Sequence, residues 1–334
     1  MNIAHIRTVL KRGLLTSLLL AAGPAFLASP AAAQSFPSRP VKIIVPFPPG
    51  GSVDIVARIL AQRLQTRFQQ TVTVENVTGA TGQIGMDRVA KAPPDGYTAV
   101  LAASGGVVIN VHLMDLPYDP SKDLAAITRV VLTPTALAVA ADLPVRDLKG
   151  FVDYVKARPG KVSYGVSGIG SQLHIAGELL KLRTGIDMTA VPYRGTSPTT
   201  MALVAGEIPA GISDISTLKQ YAEAGKVRMI AAMGDQRAES APDIPTVAES
   251  GVPGFLSTAW LGLFTTGGTP KEVVDRWYQE VTEILQEPEV LAKFRSISVE
   301  AAPNKSPAEA VAFVQGEIKK WGEGIKQAGI KISQ

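Results

Sequence analysis

The chain of 334 residues contains no cysteine. That absence excludes disulfides, thiolate metal sites, cysteine nucleophiles and a lipid-modified cysteine anchor. Histidine is nearly as scarce, with three residues at positions 5, 112 and 174. His112 and His174 lie far apart in sequence, so a zinc cage would have to lean on carboxylates. Neither a metal nor a cofactor is expected. Glycine and proline are scattered, so no collagen-like or long disordered stretch is implied. The apolar run at 14–22 is interrupted by Gly23 and Pro24 and falls short of the ~20 residues a membrane span needs.

That run belongs to a different pattern. Arg7, Lys11 and Arg12 precede it, and Ala31, Ala32 and Ala33 follow. A basic segment, an apolar segment and small residues read as a cleaved export signal, residues 1–33, with cleavage near Ala33 and a periplasmic product. The chain has 33 basic and 29 acidic residues. Loss of the three basic residues leaves it close to neutral, which argues against nucleic acid as a partner.

Beyond residue 33 the pattern alternates between short β-rich runs and helical periodicity. Residues 41–45 read as a strand, and Ile55, Ile59, Leu60, Leu64 and Phe68 recur at helical spacing. Strands are expected at 72–74, 98–102, 162–166, 188–191, 211–215 and 227–232. Helices are expected at 83–90, 147–158, 171–184 and 197–205. The tail reads as helical over 271–285 and 306–328, each helix opened by a capping-box pattern at Thr269 to Glu272 and Ser306 to Glu309. Such alternation favours an α/β fold, with parallel sheets that bind ligands where strand ends meet helix starts.

Two turns suit an anion. Residues 46–54 join a strand to a helix through Phe47, Pro48, Gly50, Gly51, Ser52 and Asp54. Residues 167–172 do the same through Ser167, Gly170, Ser171 and Gln172. Glycines let backbone N–H groups approach a ligand, and a helix start supplies unpaired donors at the positive end of its dipole. Asp54 is expected to cap its helix or orient its loop, since a carboxylate facing an anion would repel it. A third, weaker case is Tyr193 with Gly195, Thr196 and Ser197. Any one of these is also an ordinary turn composition; two in opposite halves suit a ligand gripped from both sides. Neither loop is a nucleotide signature: the first lacks the lysine of a phosphate-binding loop and the second lacks a third glycine.

The succession of motifs resembles the periplasmic receptors of the tripartite tricarboxylate transporter family, the Bug receptors. It comprises Val45-Pro46-Phe47-Pro48-Pro49-Gly50-Gly51 with Asp54, Glu75-Asn76 with Gly79, Ala80, Gly82 and Gly85, and Asp95-Gly96-Tyr97-Thr98. Ser167-Gly168 with Gly170-Ser171, Pro192-Tyr193-Arg194-Gly195, and Pro245-Thr246 with Glu249 follow in order. The resemblance implies a two-lobed periplasmic binding protein fold of the type II, Venus flytrap kind, with crossing strands at the hinge. One lobe would comprise 36–133 plus 258–334, the other 134–257. It further implies a small carboxylate held in the cleft by loop N–H groups and bridging water, delivery to membrane permease subunits, and a monomer. On this basis Ala80, Ala103 and Ser104 are expected at the cleft, and Asp214 is expected to meet an amine or hydroxyl of the ligand. Thr81, Val77-Thr78 and Thr196-Ser197 depart from the family's usual residues, the last pair adding hydroxyls.

Two rival functions share parts of this pattern. An exported hydrolase could use Ser171 and His174, three apart on one helix. The usual nucleophile elbow is absent, however: the residues around Ser167 read Gly165-Val166-Ser167-Gly168-Ile169 and lack the final glycine. His174 is expected to be a packed helix residue, and no enzyme activity is expected. A sensor subunit presenting the solute to a kinase would share every feature of the receptor. Trp260 is expected near the hinge, whereas the other tryptophans are expected to pack.

Overall fold

The computed structural model describes residues 36–330 apart from 235, 256 and 329; the export signal expected at 1–33 lies outside the described residues. The chain divides into two compact units, Met1–Ser38 and Arg39–Gln334. The first has only Phe36 to Ser38 described, without a regular element.

The second unit opens with β1 (Val41–Val45), α1 (Ser52–Phe68), β2 (Val72–Asn76), α2 (Gln83–Ala90) and β3 (Thr98–Ala103). β1 pairs in parallel with both β2 and β3. Its side chains alternate between two covered faces, and Ile43, Ile44 and Val45 are all fully buried, as a run of β-branched residues in a parallel sheet requires. β4 (Leu124–Thr133) follows, and Pro134 alone separates it from β5 (Thr135–Ala140). Proline has no N–H to give to a ladder, so the extended chain leaves one sheet there and enters another.

The second sheet is built from β5, α3 (Leu148–Lys156), β6 (Val162–Val166), α4 (Gln172–Thr184), β7 (Met188–Pro192), α5 (Thr196–Val204), β8 (Ala210–Asp214), α6 (Ile215–Glu223) and β9 (Val227–Ala232). The chain then returns through β10 (Ala259–Thr266) and ends in α7 (Lys271–Ile284), α8 (Pro288–Ser296), β11 (Glu300–Ala301) and α9 (Pro307–Ala328). The six-stranded sheet has the order β11-β4-β10-β3-β1-β2 and the five-stranded sheet the order β7-β6-β8-β5-β9. The result is a two-lobed α/β fold with one sheet in each lobe. The passages between sheets lie side by side: Ala259 pairs with Thr133, while Met233 N–H donates to Thr135 C=O at 2.9 Å.

Each sheet has its own core. Phe151, Tyr164 and Leu180 pack on the five-stranded sheet, and Val100, Phe264 and Trp321 on the six-stranded one. Each such large side chain contributes roughly 1.5–3 kcal/mol. Trp277 is fully buried, meets Phe68 edge-on and donates to Gly96 C=O at 3.0 Å.

The structure differs from the sequence expectations in its elements, where α6 and β11 also went unassigned, and in its helix caps. β4, β5 and β10 carry the crossings, yet periodicity alone assigned none of them. The capping box expected at Thr269 does not form: its hydroxyl donates to Thr266 C=O, and Pro270 occupies the cap position. At the other site Ser306 does accept from Glu309 N–H, while the Glu309 carboxylate reaches Lys305 N–H. A fully reciprocal pair forms instead between Thr246 and Glu249, within the last of the family motifs.

Candidate functional site

A cavity of about 90 Å³ lies where the two sheets' strand ends face each other. Three strand-to-helix turns reach it. The first runs from β1 to α1. Gly50 adopts φ +86°, a left-handed conformation that disfavours a side chain. Its N–H donates to Asp54 Oδ2, which also accepts from Arg58 Nε, both at 3.0 Å. Asn76 Nδ2 donates to Asp54 Oδ1 at 2.9 Å and to Phe47 C=O at 3.0 Å. Burial works to raise the Asp54 pKa, but the donors from Arg58, Gly50 and Asn76 outweigh it and hold the carboxyl below its usual range. Asp54 therefore shapes the loop from behind. The helix's own bonds begin with Ile55 N–H to Gly51 C=O, so the N–H groups of Ser52 and Val53 are its open first-turn donors.

The second turn runs from β6 to α4. Ser171 caps α4, its Oγ accepting from His174 N–H at 3.2 Å. The His174 Nδ1 accepts from Gly170 N–H, also at 3.2 Å. Burial lowers the His174 pKa, Glu178 partly opposing it, so the imidazole is a neutral acceptor with its proton on Nε2. Ser171 and His174 thus meet through a helix cap, with no bond between hydroxyl and ring. The third turn, from β7 to α5, is tied down by Tyr193 N–H donating to Val166 C=O at 2.8 Å.

The two lobes touch around the cavity. Ser52 Oγ, on α1, donates to Asp214 Oδ2 at the end of β8, at 2.6 Å. Thr196 Oγ1 donates to the same oxygen at 3.2 Å. Thr81 Oγ1 donates to Ile169 C=O at 3.1 Å, and Ser197 Oγ to Gly50 C=O at 3.4 Å. Burial pushes the Asp214 carboxyl pKa up, and the Ser52 and Thr196 hydroxyls only partly offset this. Ala80 and Thr81 both hold left-handed backbone angles, φ +46° and +54°. For non-glycine residues that costs about 1–2 kcal/mol each, a strain often found at ligand clamps.

Of the residues expected from sequence, Phe47, Pro48, Gly51, Ser52, Ala103, Ser104, Ser167, Ser171, Gln172, Gly195, Thr196, Ser197 and Asp214 line this cavity. Gly50, Asp54 and Gly170 do not; they form the loops from outside it. Ala80 and Tyr193 line a neighbouring pocket of about 510 Å³, which shares Phe47, Pro48, Thr81, Ser167 and Arg194 with the inner one. The expectation omitted Thr81, Thr133, Arg194, Ala259, Trp260 and Leu261, all of which line the inner cavity. Thr133, Ala259 and Leu261 lie on the crossing strands, which periodicity did not reveal; the only signal was Trp260 at the expected hinge. Asp214 and the exposed Arg194 are the only charged side chains among the described lining residues. No cluster of three His, Asp or Glu side chains among the described residues could hold a metal.

Two lobes with helix N-termini facing one cleft define a solute-binding protein. The comparisons with known proteins narrow the class. The family described as "Tripartite tricarboxylate transporter family receptor" matches residues 56–330. BugT of Bordetella pertussis is 34% identical over 309 residues, covering 92% of this chain and 94% of that protein. The periplasmic binding protein BugD has a similar structure, with TM-score 0.83 and 33% identity, covering 89% of this chain and 99% of that one. An R. palustris protein, Rpa4515, solved with adipate, gives TM-score 0.85 and 34% identity, covering 89% and 99%. The chain belongs to the tripartite tricarboxylate transporter receptor family. Of the proteins to which it is similar, BugD is a periplasmic binding protein.

Proposed function

We propose that this protein is an exported receptor that closes on a small organic acid and delivers it to the permease of a tripartite tricarboxylate-type transporter. The moving bodies in this reading are 36–133 plus 258–334 and 134–257. The observation that carries it is the convergence of α1, α4 and α5 N-termini, from both lobes, on one cavity. Open first-turn N–H groups and the helix dipoles favour a carboxylate there. The Ser171 hydroxyl caps α4, and its O–H and that of Ser167 add further donors at the cavity. The relative solved with adipate supports the ligand class.

The cavity is small: a comparable apolar cavity that holds benzene measures about 150 Å³. A short acid fits the inner space, and a longer one would extend past Thr81 and Phe47 into the neighbouring pocket. Thermal-shift measurements against mono-, di- and tricarboxylates test the reading. A ligand at about 100 times its dissociation constant adds ~2.7 kcal/mol, a shift of a few degrees. If neutral amides stabilise the protein and no acid does, the carboxylate assignment is wrong.

A further inference from the structure

Helix α4 carries two apolar stripes, where a helix that covers one sheet needs a single one. Leu173, Ala176 and Leu180 recur at helical spacing and pack into the core of the five-stranded sheet, with Phe151 and Tyr164. Ile175 and Leu179, four apart, form the second stripe. Ile175 is fully buried, but in the core of the other lobe: it joins Val107, Val108, Trp260 and Trp321 on the six-stranded sheet. Leu179 packs against both cores. Leu182 continues the second stripe and is 54% exposed, so the stripe runs out at the edge of the contact. The helix is anchored to the five-stranded sheet. Gly177 lets the Tyr164 ring lie directly against it, since a Cβ there would collide with the ring, and Tyr164 Oη donates to Glu178 Oε1 at 2.9 Å. On the opposite side the backbone of the six-stranded lobe comes up to the first turn of α4: a Cβ on Gly105 would lie 3.2 Å from the Gln172 backbone nitrogen. When the lobes part, α4 therefore travels with the five-stranded sheet, and Ile175 must leave the core of the other lobe and meet water.

We propose that Ile175 is a positioning residue for solute binding: it latches the two lobes together, with or without ligand, and so sets the affinity for every solute while touching none. The inference rests on the closing-receptor reading above and adds the contact that biases closure. Ile175 lines neither the inner cavity nor the neighbouring pocket. Its burial is gained on closing and lost on opening, so it favours the closed arrangement by the hydrophobic effect. Apparent affinity falls with the fraction of molecules in the binding-competent state, and a weaker latch lowers that fraction for all solutes alike.

Small-angle X-ray scattering and acrylamide quenching of tryptophan fluorescence, measured on the whole protein without ligand, test this in wild type, Ile175→Ala and Leu180→Ala. Ile175→Ala should show a larger radius of gyration and stronger quenching, because Trp260 and Trp321 share the core that Ile175 leaves. Leu180→Ala, on the other stripe, should change neither, although it lowers the urea midpoint as any truncated core residue does. Ile175→Leu should restore most of the wild-type behaviour. In calorimetric titrations with adipate, Ile175→Ala should bind on the order of 10- to 100-fold more weakly than wild type, and Leu180→Ala equally well. The same radius and quenching in wild type and Ile175→Ala, or the same adipate affinity, overturns the inference and leaves the receptor reading standing. Absence of binding by wild type to adipate and to every other acid tried overturns that reading, while the ligand-free comparison still decides the latch. Should Ile175→Ala fail to fold, Ile175→Val, which removes one methyl group, should show the same changes at a smaller size, with a few-fold loss of affinity, and their absence there overturns the inference.

Discussion

The first and second loops perform the same task by opposite means. The β1–α1 loop is organised by a charge: Asp54 gathers Gly50 N–H, Arg58 and Asn76 around one carboxylate. The β6–α4 loop is organised by neutral groups, a serine hydroxyl and an uncharged imidazole. Each device leaves its own loop without a carboxylate facing the cavity, so that the loop presents helix-start N–H groups there. Two such solutions in one molecule suggest that loop shape, and not a particular residue type, is what the site requires. They also predict different responses to substitution and to pH.

Their glycines differ most. A side chain at Gly50 would meet nothing within 4 Å, whereas one at Gly168 would lie 2.9 Å from Thr81 across the cleft. Both residues hold left-handed angles, φ +86° and +131°. Gly50→Ala and Gly168→Ala should therefore both lose about 1 kcal/mol of stability from backbone strain. Only Gly168→Ala should also weaken ligand binding strongly, by on the order of 100-fold, about 2.7 kcal/mol. The added methyl group holds the lobes apart, so Thr81→Ala should restore part of the affinity in a double-mutant cycle. Equal affinity losses at the two glycines would show that the loops do not close against each other in this way.

Asp54 gives the next largest effect. Asp54→Asn keeps the shape but replaces one acceptor oxygen with a donor, leaving Gly50 N–H or Asn76 Nδ2 without its partner. The expected loss is about 2 kcal/mol of stability, read from the urea midpoint. Arg58 is half exposed, and Arg58→Ala should cost under about 1 kcal/mol. A larger loss at Arg58 than at Asp54 would mean that the ion pair, and not the loop network, is the stabilising element.

The two loops were legible from sequence because glycine, serine and a following helical period are local signals. The hinge was not. Val130, Val131 and Leu137 are buried alongside Thr128 and Thr133, and β4 joins β5 with no turn residue except Pro134. Period-2 alternation fails when both faces of a strand are covered. The cavity residues contributed by β10 were hidden for the same reason. The roles of Asp54 and Asp214 were only half legible. Sequence placed Asp54 at a helix start, as a cap or loop organiser, but placed Asp214 only at a strand end, and the family resemblance alone set it at the cleft. Where each carboxylate turns is decided by Arg58 and Asn76 on one side and by Ser52 and Thr196 on the other, residues up to 162 positions away.

The smallest effect separates the loops by pH. His174 has its pKa lowered by burial, so the folded protein binds its proton less readily than the unfolded chain does. Between the ordinary histidine value of about 6.5 and the lower folded value, the unfolded state carries more protons. Stability from this group is therefore complete above that range and declines as the pH falls through it. Asp54 is shifted downward from a much lower starting point, so its contribution is lost only near and below pH ~4. On going from pH 7 to pH 5, the second loop should weaken while the first does not. His174→Gln supplies an amide oxygen to Gly170 N–H that cannot be protonated. The variant should lose roughly 1 kcal/mol at pH 7 for imperfect packing. Its stability should then fall less steeply toward pH 5 than the wild type's, whereas Asp54→Asn should leave that slope unchanged. Parallel pH profiles for wild type and His174→Gln would show that the imidazole does not govern the stability of this loop.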